Sequence, residues 1–111
     1  MIALDFCREV LGWGDATNVS QTGRVYPSVC WSPSRALDFR FTDLNAVADA
    51  VRDWCDRTDS AVDMSYDGLI PGEWEVPVVT PASVEVAVHP DPCQALLFAC
   101  VEASRKLKAG A

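Results

Sequence analysis

The one histidine of the chain, His89, stands two residues before Asp91 and four before Cys93. A thiol, a base and a carboxylate are the parts of a nucleophilic catalyst, in which the base takes the proton of the nucleophile and the acid orients the base. If Asp91 caps a helix and Pro92 holds its first position, Cys93 stands at the second, where a helix N-terminus favours a thiolate. The same residues have an architectural reading. Pro90 ends a strand, Asp91 accepts backbone N–H bonds, Pro92 supplies a preset φ, and His89 is a polar residue at the strand exit. Each is the type the local backbone asks for, so the architectural reading is the stronger. A Cys/His enzyme at His89 and Cys93 stands behind it as an alternative.

Two other groupings could carry chemistry. Arg24, Arg35 and Arg40 cluster around a hairpin with Tyr26 and Trp31. Guanidinium groups beside aromatic planes suit a small anionic ligand that carries a base, such as a nucleotide, through paired hydrogen bonds and stacking. Trp31, Arg35, Arg40 and His89 are therefore the candidate ligand-binding residues. The plainer expectation is that Arg40 points outward from its strand, Arg35 sits in a turn and Trp31 is core. Glu73 and Glu75 share one strand face, with Glu85 expected across from them, and such a set can divide acid and base roles or take a hard cation with Asp63 or Asp67. Alternating acids more often mark a solvated face. No Gly-rich phosphate loop, H-E-x-x-H or G-x-S-x-G sequence is present. The expectation is a protein without catalysis, cofactor or metal.

The elements that must position these residues follow from hydrophobic spacing. Leu4, Cys7 and Leu11 recur at helical intervals over residues 3–11, and Gly12 and Gly14 stop that helix. Residues 15–23 are small and polar, a loop. A strand over 25–31, placed toward an edge by Pro27, and a second over 37–41 are joined by the turn residues Ser32, Pro33, Ser34 and Arg35 as a hairpin. Thr42 is a fitting N-cap for a helix whose apolar stripe is Leu44, Val47, Ala48, Val51, Trp54 and Cys55, with the opposite face charged and Asp53 expected to pair with Arg57. Alternation then predicts three strands, over 62–66, 74–78 and 84–88, the last read as presenting Val84, Val86 and Val88 to the core. The last helix, over 93–107, is apolar on more than one side, so it is central to the core or partly buried in a partner. The order αββαβββα gives an α+β, sandwich-like domain with an antiparallel or mixed sheet of about five strands.

At 111 residues the chain forms a single domain over 1–111, long enough to bury a core. Nine Lys and Arg against sixteen Asp and Glu give a formal charge of −7, which disfavours a nucleic-acid polymer as partner. No apolar run approaches the length of a membrane span and the start has no basic leader, so a cytoplasmic protein is expected, without a membrane. Five cysteines, at 7, 30, 55, 93 and 100, form no C-x-x-C pair. They read as reduced thiols, with Cys7, Cys55, Cys93 and Cys100 on apolar helix faces.

Three stretches together resemble a known family. A first helix ending in Val10-Leu11-Gly12-Trp13, a middle helix entered through a strand over 39–54, and a last strand running through an acid-and-proline entrance into an Ala-rich helix over 84–103 are similar to the small phage domain family named for its alpha-beta-alpha sandwich. The resemblance implies a phage origin, the host cytoplasm as location, and helices on both faces of an antiparallel sheet. It implies no reaction, because the family has none assigned. The resulting expectation is a phage-type protein that acts by binding, as a homo-oligomer or on a host protein. Leu69 and Ile70, at the tip of the turn between Gly68 and Gly72, add to that expectation. Binding of a small anionic nucleotide through the Arg24, Arg35 and Arg40 region is the first alternative.

Overall fold

A computed structural model describes residues 2–14, 17–18, 30–32, 37–68 and 72–110. In chain order the elements are α1 (Ile2–Glu9), β1 (Thr17–Asn18), β2 (Cys30–Ser32), β3 (Leu37–Phe39), α2 (Leu44–Thr58), β4 (Ala61–Val62), β5 (Ser65–Asp67), β6 (Glu73–Val79), β7 (Val84–His89) and α3 (Pro92–Ala109). The domain is α+β, as expected, but its strands divide between two antiparallel sheets instead of one of about five strands. β1, β2 and β3 make a small sheet, in which β2 and β3 are the anticipated hairpin. The larger sheet is centred on β6, with β4 and β5 along one side and β7 along the other.

Pro77 explains why the strand expected over 62–66 is broken. Val62 pairs with Val78 and Ser65 with Glu75, so β4 and β5 keep one continuous register along β6. Between them the register brings Asp63 to Pro77, which accepts the Asp63 N–H at 3.1 Å but has no N–H to return. The ladder lapses there and resumes at Ser65.

α3 lies at the centre of the core, one of the two places expected for it. Leu96, Leu97, Ala99, Cys100, Val101 and Ala103 are all buried, packed with Phe6, Cys7 and Val10 of the first helical segment, Val47, Val51 and Trp54 of α2, and Val76 and Val78 of β6. Alanines four apart, at Ala95, Ala99 and Ala103, let neighbouring backbone approach closely. The helical segments are stitched at their ends. Arg57 pairs with Asp53 at 3.0 Å, as expected, and also donates to the carbonyl of Val10 at 2.8 Å. Ser104 donates to the carbonyl of Glu9 at 3.0 Å. The N-cap of α2 is Asp43, not Thr42: its carboxylate accepts from the N–H groups of Asn45 and Ala46.

Two further expectations are corrected. Cys7 is disulfide-bonded, whereas Cys55, Cys93 and Cys100 are free thiols. Cys30, the remaining cysteine of the sequence, stands in β2, the strand against which α1 packs. The second correction concerns β7. Its alternation is real, but the faces are reversed: Val84, Val86 and Val88 are 63, 53 and 52% exposed, while Glu85, Ala87 and His89 turn toward α3. Ala87 is small enough to lie beneath the helix, and Glu85 is held by Lys106 of α3 at 2.7 Å. All three helices meet around α3, so among the described residues the sheet is covered on one side, unlike a sandwich with helices on both.

Candidate functional site

The strand-to-helix join around His89 is built as a join. Asp91 is the N-cap of α3 and accepts from the N–H groups of Cys93 at 2.8 Å and Gln94 at 3.3 Å, with Pro92 in the first turn. The Nδ1 atom of His89 accepts the N–H of Asp91 at 2.9 Å, which leaves Nε2 to carry the ring proton. His89 is thus fixed to backbone, not to Cys93. The Cys93 thiol is buried, and burial, with Asp91 and then Asp43 nearby, raises its pKa above the ordinary 9.0. An activated thiolate would need the opposite shift.

His89 does belong to a wider feature. Tyr66 lies opposite Trp74, and Trp74 opposite His89, so three rings cross one end of the sheet on the α3 side. The Tyr66 and Trp74 rings are 5.1 Å apart, and the His89 ring stacks on Phe98 of α3 at 6.4 Å. Gly72 leaves room for the Tyr66 hydroxyl, which a Cβ at that position would strike.

Of the expected arginine and tryptophan group, Arg40 is described and exposed. Arg24, Tyr26, Pro27 and Arg35, the side chain of Trp31, and Leu69 and Ile70 lie outside the described residues. Of the expected carboxylate set, Glu85 stands apart from Glu73 and Glu75. Glu73 and Glu75 occupy the uncovered face, but Glu85 pairs with Val78 in register and therefore projects to the other side. Among the described residues no three His, Cys, Asp or Glu side chains stand together as metal ligands. An apolar cavity of about 270 Å³ opens between α2, α3 and β4, lined by Val51, Cys55, Val62, Met64 and Leu96. Arg52 at its rim is engaged with Asp49 at 3.2 Å.

The feature that sequence reasoning missed is the uncovered face of the larger sheet. Residues directly opposed in an antiparallel pair project to the same side, so Val84 with Val79, Val86 with Pro77, and Val88 with Glu75 form one surface. Ala61 and Ser65 extend it. Val79 is 48% exposed, so four half-exposed valines lie together in a strongly acidic protein. Acids gather at one end, at Glu73 and Glu75 with Asp67 opposite Glu73, Asp63 stands opposite Pro77 at mid-strand, and the row of Val79 and Val84 at the other end is uncharged. A contiguous apolar patch of this kind is a contact surface more often than an accident. The signal for it was the pairing of Glu85 with Lys106, which lie 21 residues apart and share no periodicity.

No family model matches this chain, and it has no match among curated proteins or solved structures. No described helix is long and apolar enough to cross a membrane.

Proposed function

We propose that this chain is a phage-type binding protein that meets a protein partner, a second copy or a host protein, through the uncovered face of its larger sheet, and that it works by contact and not by catalysis. The observation that carries the reading is the row Val79, Val84, Val86 and Val88, left about half exposed or more while Val76 and Val78 on the other face of the same sheet are fully buried. Burying such side chains against a partner contributes about 25 cal/mol for each Å² of apolar surface removed from water. A rim of acids at one end and none at the other would orient that partner. Support for contact over chemistry comes from His89, whose Nδ1 is occupied by backbone, and from Cys93, whose thiol is held protonated.

The test is an apolar fluorescent dye of the anilinonaphthalene sulfonate type. The folded protein is expected to enhance its emission, and the triple variant Val84→Ser, Val86→Ser, Val88→Ser to lose most of that enhancement at unchanged circular dichroism. Emission that is absent from the parent protein, or equal in the two, contradicts the reading.

A further inference from the structure

The backbone of β7 carries a second consequence. In an antiparallel ladder, opposed pairs alternate between those that exchange hydrogen bonds and those whose N–H and C=O groups point away from each other. Thr80 donates its N–H to the carbonyl of Ser83 at 2.9 Å, which fixes the phase at the hairpin. The carbonyl of Pro77 accepts from Asp63 on the far side of β6, which fixes it again in mid-strand. With Val79 opposite Val84, Pro77 opposite Val86 and Glu75 opposite Val88, both observations agree. The N–H and C=O groups of Val84, Val86 and Val88 point outward, to the edge of the sheet.

Among the described residues that edge has one of the usual protections, the inward-pointing charge of Glu85, and Lys106 neutralises it at 2.7 Å. β7 runs six residues in unbroken register with β6, without proline, lysine or bulge, and no described strand pairs with its outer side. The opposite edge is interrupted at Pro77. We propose that β7 pairs with β7 of a second copy, antiparallel about a two-fold axis at Val86; this builds on the reading of the uncovered face as a contact surface. About that axis Val86 meets Val86, and Val84 meets Val88, so each outward N–H and C=O finds a partner. A shift by one residue would place valines against Glu85 or Ala87 on the wrong face.

The helix above the edge fits the same axis. α3 runs back along β7, with Phe98 stacked on His89 at 6.4 Å and Lys106 bonded to Glu85 at 2.7 Å. Glu102 is exposed between them on the outer stripe of α3. With about 1.5 Å of rise per helical residue and about 3.3 Å per strand residue, Lys106 lies near the level of Glu85 and Glu102 near that of Ala87, on either side of Val86. The two-fold reverses the second helix, so Glu102 of each copy approaches Lys106 of the other. The half-exposed ring of Phe98 lies on the same outer stripe and turns toward the second copy. Such a contact is isologous and closes at two chains. It also joins the two valine faces into one continuous surface, the surface assigned above to a partner.

The test measures mass by sedimentation velocity or light scattering over a range of concentrations. The parent chain is expected at twice the chain mass, dissociating on dilution. Val86→Pro removes an N–H that the monomer does not use and is expected to give a folded monomer. Val86→Lys, which places two ammonium groups side by side across the axis, is expected to do the same and covers the case in which the proline variant fails to fold. A parent chain that is monomeric at every concentration overturns the proposal. So does a dimer that persists in a folded Val86→Lys variant. The dye assay separates the two readings: a monomer whose valine face still binds dye sinks the dimer alone, and a dimer that binds none sinks the function proposed for the face.

Discussion

Val76 and Val86 stand in adjacent strands, in stretches that alternate in the same way, yet the first is fully buried and the second is more than half exposed. What separates them is which side α3 covers. Along β6 the covered side presents Trp74, Val76 and Val78, and along β7 it presents Glu85, Ala87 and His89. The helix has spent its apolar surface on β6, α1 and α2. It meets β7 through an ion pair, a small side chain and a stacked ring. Period shows which residues share a face; only the third dimension shows which face is covered.

The difference between the faces sets the order of expected effects. Val78→Asp puts an unpaired carboxylate into the core and is expected to remove about 4 kcal/mol or more, enough to unfold a domain of this size. Val86→Asp on the uncovered face should leave the urea midpoint of the isolated chain within about 1 kcal/mol of the parent. Equal losses from the two would erase the distinction between the faces.

Reduction comes next. The disulfide at Cys7 belongs to the covered side, and dithiothreitol is expected to lower stability by about 2–4 kcal/mol, read as a lower melting temperature in the parent and no change in a Cys7→Ser variant. A parent melting curve indifferent to reductant contradicts that bond.

The helix entrances follow. Asp43→Ala and Asp91→Ala should each cost about 1 kcal/mol, and Thr42→Ala less than about 0.5 kcal/mol, because the cap bonds run to the two aspartates. A Thr42 effect as large as that of Asp43 would return the cap to Thr42.

The smallest effect appears at high pH. Burial raises the pKa of Cys55, Cys93 and most of all Cys100 above the ordinary 9.0, and the bond to Glu85 raises that of Lys106. A group whose folded pKa is raised stabilises the fold in full below its unfolded pKa and loses that contribution as pH climbs through the folded value. The melting temperature should therefore fall above about pH 9. Cys100→Ala should flatten the decline more than Cys55→Ala, and an identical decline in both variants would show that the thiols are not its source.

Much of this architecture was legible in the residues. The stripe of α2, the alternation of β6 and β7, and the entrance at Asp91 and Pro92 all follow from local spacing and backbone chemistry. Three features were not, each because it depends on a distant residue. Cys7 lies on an apolar helix face, as a reduced thiol would, and nothing nearby signals a bonded partner. Pro77 reads as a minor fault in its own strand, although its effect falls on the neighbouring one. Val84, Val86 and Val88 look like core residues until Lys106, at the far end of α3, claims Glu85. The candidate site was the least legible part. His89 drew attention by its chemistry and proved to be held by backbone, while the valines, which have no chemistry, form the surface that is open.

Amide hydrogen exchange along β7 tests the central claim most directly, because neighbouring residues serve as each other's control. The N–H groups of Glu85, Ala87 and His89 face β6 and should be protected at any concentration. Those of Val84, Val86 and Val88 face the edge. Pairing with a second copy predicts that their exchange slows as the protein is concentrated and quickens again in Val86→Lys. Rapid exchange of the three valine amides at every concentration would contradict it.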